Sequence, residues 1–90
     1  MTETTGYIVY DCLKPEGAPL YSKFPMAVFA QHQDAVDYLQ QLGMEDEAEY
    51  SSFVGRNIEL TEHRSDKMIW HDLDNGAYYK LEIESVQLYI

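Results

Sequence analysis

At ninety residues and 46% hydrophobic content the chain forms one domain over residues 1–90, since a chain this size buries roughly 60 to 70% of its unfolded surface and has none to spare for a second core. Its single cysteine, Cys12, excludes an intrachain disulfide and a disulfide-stapled scaffold, so a reducing, cytoplasmic setting is expected. Sixteen acidic against six basic residues give a formal net charge of -10, which disfavours contact with nucleic acid or anionic lipid and calls for a basic protein partner.

Met1 to Thr5 carry an acid and no basic residue, so no export signal is expected, and no apolar run reaches the roughly 18 residues of a membrane span. Tyr7 to Leu13 are rich in β-branched and aromatic residues and read as a strand. Lys14-Pro15-Glu16-Gly17 then turn the chain, with Pro15 presetting φ and Gly17 free to go left-handed. The return runs antiparallel through Ala18 to Lys23, as an edge strand or as two pieces broken at Phe24-Pro25, because neither Pro19 nor Pro25 can donate to a ladder. A short apolar run, Met26 to Ala30, follows.

Between Gln31 and Gly43 the residues Ala35, Val36, Leu39 and Leu42 fall at helical spacing, and Asp34 lies in the first turn, where the helix dipole favours negative charge. Gly43 reads as a C-cap. Glu45 to Phe53 read as a second short helix with its acids at the N-terminus and Ala48 and Phe53 turned inward.

Ile58 and Leu60 alternate with polar residues, as in a strand with one buried face, up to a polar turn over His63 to Asp66. Lys67 to Leu73 lead into Asn75-Gly76, a strong hairpin signal. A two-residue loop there sets Asp72 opposite Tyr79, Trp70 opposite Leu81 and Met68 opposite Ile83, gathering Met68, Trp70, Tyr79, Leu81 and Ile83 on one face. Beyond Ile83 the apolar parity slips by one, to Val86, Leu88 and Ile90, which a bulge near Glu84-Ser85 would absorb. The expected fold is α+β: a mostly antiparallel sheet of four to five strands covered on one face by one or two helices, in the order ββααβββ.

The chemistry of the residues points away from catalysis. Cys12 reads as a small buried apolar residue on the first strand. His32, His63 and His71, even with Glu62 or Asp72, lack the spacing of a metal motif, and neither a metal nor a cofactor is expected. The pair Asp72 and Asp74 borders a turn, where carboxylates bond local backbone. No phosphate loop or nucleophile elbow is present in the sequence, so a non-enzymatic protein is expected.

The most informative group is acidic. Glu45, Asp46, Glu47 and Glu49 cluster after Asp34 and Asp37, and Glu59, Glu62 and Asp66 follow. On a shared face such acids present negative charge in rows, like the phosphates of a duplex, for a basic nucleic-acid channel to accept. Tyr38, Tyr50, Tyr78 and Tyr89 lie off the apolar stripes and supply rigid contact area with a hydrogen-bonding tip. The expected partner-binding set is therefore Asp34, Asp37, Glu45, Asp46, Glu47 and Glu49 with Tyr38 and Tyr50. The composition is that of small acidic inhibitors which viruses and mobile elements direct at host nucleic-acid enzymes, an analogy of composition alone. The rival reading is a regulatory module that homodimerises through an exposed strand or binds a small ligand, its acidity serving only solubility.

Overall fold

The computed structural model describes residues 3–52 and 57–89, with side chains over 4–52 and 57–87. In chain order the elements are β1 (Glu3–Lys14), β2 (Ser22–Phe29), α1 (His32–Ser52), β3 (Ile58–Arg64), β4 (Lys67–Asp72) and β5 (Tyr78–Tyr89). The five strands form one antiparallel sheet in the order β2-β1-β5-β4-β3, and α1 packs across one face of it. The fold is α+β as expected, but among the described residues there is one helix where the sequence suggested as many as two, so the order is ββαβββ rather than ββααβββ.

The helix is continuous because Gly43 is not its end. Gly43 is buried in mid-helix, and a Cβ on it would overlap Sδ of Met68 and lie 2.9 Å from Met68 Cε. The missing side chain leaves room for the end of Met68 from β4, and the cost of glycine in helix propensity, about 1 kcal/mol, is met by that contact. At about 1.5 Å per residue, 21 residues span roughly 31 Å, enough to cross five strands set about 4.8 Å apart on a diagonal. A consequence is that Ala48, expected to turn inward, is exposed on the outer face, while Phe53 lies outside the described residues.

Val9, Ala35, Leu39, Met68, Trp70 and Leu81 form the buried core between helix and sheet, with Tyr79 and Ile83 packed against it. The face expected for the β4–β5 hairpin is therefore correct, but its register is not: Trp70 pairs with Tyr79 and Met68 with Leu81, two residues away from the expected partners. A shift of two preserves every face, so the alternation could not report it. The longer loop is made by Asp72, whose buried carboxylate accepts from the backbone N–H of Asp74 (3.0 Å) and Asn75 (3.3 Å), while Gly76 N–H donates to Asp72 O.

The bulge expected near Glu84-Ser85 is absent from the β1–β5 ladder, which runs without a register shift from Glu3 opposite Tyr89 to Lys14 opposite Tyr78. Val86 simply faces away from the helix, its parity being opposite to that of Ile83. Strand β2 begins at Ser22 rather than Ala18, since residues 15–21 form the turn, closed by Ala18 N–H to Pro15 O, with Gly17 at φ 81° as anticipated. It continues through Pro25 to take in the Met26–Phe29 run, with an irregularity in the β1 register between Val9 and Tyr10. Pro25 is tolerated there because β2 is an edge strand. At the opposite edge, Gln40 Nε2 donates to the carbonyls of Arg64 (2.8 Å) and Ser65 (3.1 Å), and His63 Nε2 lies 2.9 Å from Gln40 Oε1, tying α1 to the β3–β4 turn.

Candidate functional site

Helix α1 carries six acids, Asp34, Asp37, Glu45, Asp46, Glu47 and Glu49, and neither lysine nor arginine. The phase of one continuous helix, fixed by buried Ala35, Leu39 and Gly43, divides them. Asp34, Asp37, Glu45 and Glu49 are exposed, along about 22 Å of helix at 1.5 Å per residue. Exposed Met44 and Ala48 lie among them and line a shallow open groove with Asp37, Gln41 and Glu45.

Glu47 and Asp46 turn toward the sheet. Glu47, one turn beyond Gly43 on the same flank, accepts a hydrogen bond from Trp70 Nε1 at 2.6 Å. Asp46 is half-buried near Asp11 of β1, and burial, followed by the carboxylates of Asp11, Glu49 and Glu45, pushes its pKa up to about 6. Asp11 is itself raised by burial. Tyr50 stacks on Tyr79 (5.5 Å between centroids) and meets Trp70 edge-on (5.6 Å), and Tyr38 packs on Phe29 (5.3 Å), so both are partly buried at the border of the core.

A pH dependence follows from the Asp11 and Asp46 pair. Both carboxylates hold their protons more tightly in the folded chain than unfolded, where an aspartate titrates near 3.9; the stability Asp46 contributes is complete below about pH 4 and is lost as pH rises through about 6, and burial of Asp11 acts in the same direction. Asp46 remains partly open to water, so solvent screening reduces a full shift of some 3 kcal/mol to about 1 kcal/mol. Urea unfolding at pH 5 and pH 7.5 should show the higher midpoint at pH 5, with Asp46→Asn removing most of the difference. An undiminished difference in Asp46→Asn would assign the effect to other groups.

Positive charge is collected on the opposite side. Strand parity puts Lys14, Lys23, Lys67 and Lys80 on the sheet face that α1 leaves uncovered. There Lys23 Nζ pairs with Glu82 (2.9 Å) and Glu84, Lys80 Nζ pairs with Glu82 (3.2 Å) and lies 4.1 Å from the Tyr21 ring centroid, and Lys23 approaches Tyr10. Against the upward pull of burial, hydrogen bonds from Lys23 and Lys80 hold Glu82 below the usual carboxylate range. Beneath this layer Cys12 is buried, and burial with the nearby Glu82 pushes its thiol up to about 11, so the thiolate is scarce at neutral pH.

The three histidines find separate neighbours: His32 meets Tyr7 edge-on, His63 bonds Gln40, and His71 stacks flat on Tyr78 at 4.3 Å. Among the described residues no three His, Cys, Asp or Glu side chains form a group able to hold a metal ion, and no helix is long and apolar enough to cross a membrane. Glu62 pairs with Arg64 at 2.8 Å, Asp74 accepts from Asn57 N–H at 3.1 Å, and Glu59 and Asp66 are exposed. The Tyr89 side chain lies outside the described set.

Sequence reasoning missed a second feature beside the acids. Of the seven large apolar side chains exposed among the described residues, Leu13, Leu20, Phe24, Met26 and Val28 lie on β2, the turn before it or the adjoining end of β1. The available signal was charge, because residues 17–33 contain no Asp or Glu in a chain with a formal charge of -10. In comparisons with known proteins, the chain matches no family model, no curated protein and no solved structure.

Proposed function

We propose that this chain is a non-enzymatic binding protein, an inhibitor or regulator that lays the outer face of α1 on a basic surface of a nuclease or other nucleic-acid-binding protein, in the place of the nucleic acid. The observation that carries the reading is the segregation of charge. Four acids project from one helix that contains no Lys or Arg, while four of the six basic residues lie on the far side of the sheet. A field arranged this way orients a basic partner toward the helix before contact.

Four charges over about 22 Å is sparser than a duplex, which carries about one per 1.7 Å, so the acids serve steering and orientation rather than phosphate-by-phosphate imitation. Glu47 is left out of the contact set because it holds Trp70, and Asp46 contributes from the flank.

The test uses a partner captured at two salt concentrations and then measured by its association rate. Asp34→Asn, Asp37→Asn, Glu45→Gln and Glu49→Gln combined should slow association about tenfold or more at low salt, flatten the salt dependence and leave the fold intact, since all four are exposed. The wild type should also displace a labelled duplex from that partner. Equal association rates for wild type and variant at both salts would remove the helix acids from the mechanism and leave acidity as a matter of solubility.

A further inference from the structure

The acid-lined flank of α1 that faces β2 adjoins an apolar shelf on the same side of the sheet. Val9 is in the core beneath α1, so by alternation Asp11 and Leu13 of β1 point to the helix side as well. Phe24 pairs directly with Asp11 and shares that face, as Leu13 shares it with its partner Tyr79. Phe24 is 61% exposed and Leu13 38% exposed, so the helix does not cover this end of the sheet. From above, Asp46 reaches the neighbourhood of Asp11, and Glu45 and Glu49 stand beside Asp46. The helix and the sheet edge thus converge on a shelf with an apolar floor and an acidic wall.

We propose that this shelf is the docking surface for an extended segment of a protein partner in which Lys or Arg alternates with apolar residues, the apolar side chains and cationic stems resting on Phe24 and Leu13 and the cationic heads reaching Asp11, Glu45, Asp46 and Glu49. The inference rests on the reading above, that the partner is basic, and names the form it takes. Charge complementarity selects this occupant: carboxylates meet a floor that buries aliphatic stems, a pairing that Lys and Arg satisfy in one side chain and a simple cation does not. A second copy of the chain would bring its own -10 to an acidic wall. Strand addition along β2 is impeded by Pro25, which offers no N–H, and by the irregular register beside it, so the segment lies on the face rather than extending the sheet.

The experiment titrates the full-length, 15N-labelled protein with an eight-residue capped peptide alternating Lys and Val, compared with Lys-Gly and Glu-Val peptides of equal length. The Lys-Val peptide should shift the amides of Leu13, Phe24, Asp46 and Glu49 and bind more tightly than Lys-Gly, with Glu-Val failing to bind. Phe24→Ser, at an exposed position and with the remaining spectrum unchanged, should weaken Lys-Val binding about tenfold and leave Lys-Gly binding as it was. Shifts confined to the Asp34–Gln41 outer face, with Phe24→Ser without effect, would overturn the shelf while leaving the basic-partner reading in place. Absence of salt-sensitive binding by either basic peptide would overturn both. Broadening at Phe24 and Val28 that grows with protein concentration alone would assign this edge to a second copy instead.

Discussion

Trp70→Ala is expected to cost about 3 to 5 kcal/mol, the largest loss available from one substitution in this core. Trp70 is 1% exposed and is the largest fully buried side chain, bounded by the ring of Tyr50 and joined through Nε1 to Glu47 at 2.6 Å. Truncation removes both the packing and the donor, leaving a half-buried carboxylate with no indole to meet it. For a domain of this size each kcal/mol moves Tm by roughly 4 to 8 °C, so Trp70→Ala should melt at least about 12 °C below the wild type. Trp70→Phe separates the two causes: it keeps a ring against Tyr50 but loses the hydrogen bond, and should cost about 1 to 3 kcal/mol. Glu47→Gln retains an acceptor and should cost less than Trp70→Phe. A Trp70→Ala variant within about 1 kcal/mol of wild type by denaturant unfolding would contradict the described core.

Gly43→Ala is expected to destabilise by about 1 to 3 kcal/mol, although alanine is the better helix former by about 1 kcal/mol. The added methyl would overlap Met68 Sδ and Cε, the flexible end of a side chain only 2% exposed between helix and sheet, so Met68 must change rotamer and repack to admit it. A double-mutant cycle identifies the contact. In a Met68→Ala background the obstacle is gone, so Gly43→Ala should there be neutral or stabilising, giving a coupling of about 1 to 3 kcal/mol. If Gly43→Ala proves equally costly in both backgrounds, the contact with Met68 is not the reason for the glycine.

Much of the sheet is determined by the sequence alone. Alternation assigns Met68, Trp70, Tyr79, Leu81 and Ile83 to the buried face, and Pro25 marks β2 as an edge, because side-chain parity and a missing N–H are local properties. Register is different: a two-residue slide of β4 on β5 leaves the same side chains inward, and the choice fell to Asp72, whose carboxylate binds the loop N–H groups of Asp74 and Asn75. Gly43 was equally ambiguous, since a glycine after an amphipathic run suits a helix end as well as a close contact, and only Met68 across the interface decides between them. With the helix continuous, its phase carried past Gly43, setting Glu47 against Trp70, Tyr50 against Tyr79 and Asp46 near Asp11, and leaving four of the six expected acids outward. That α1 is acidic is a property of the sequence; which acids face solvent, and that an exposed Phe24 lies beside them, depends on contacts between residues far apart in the chain, which no local pattern encodes.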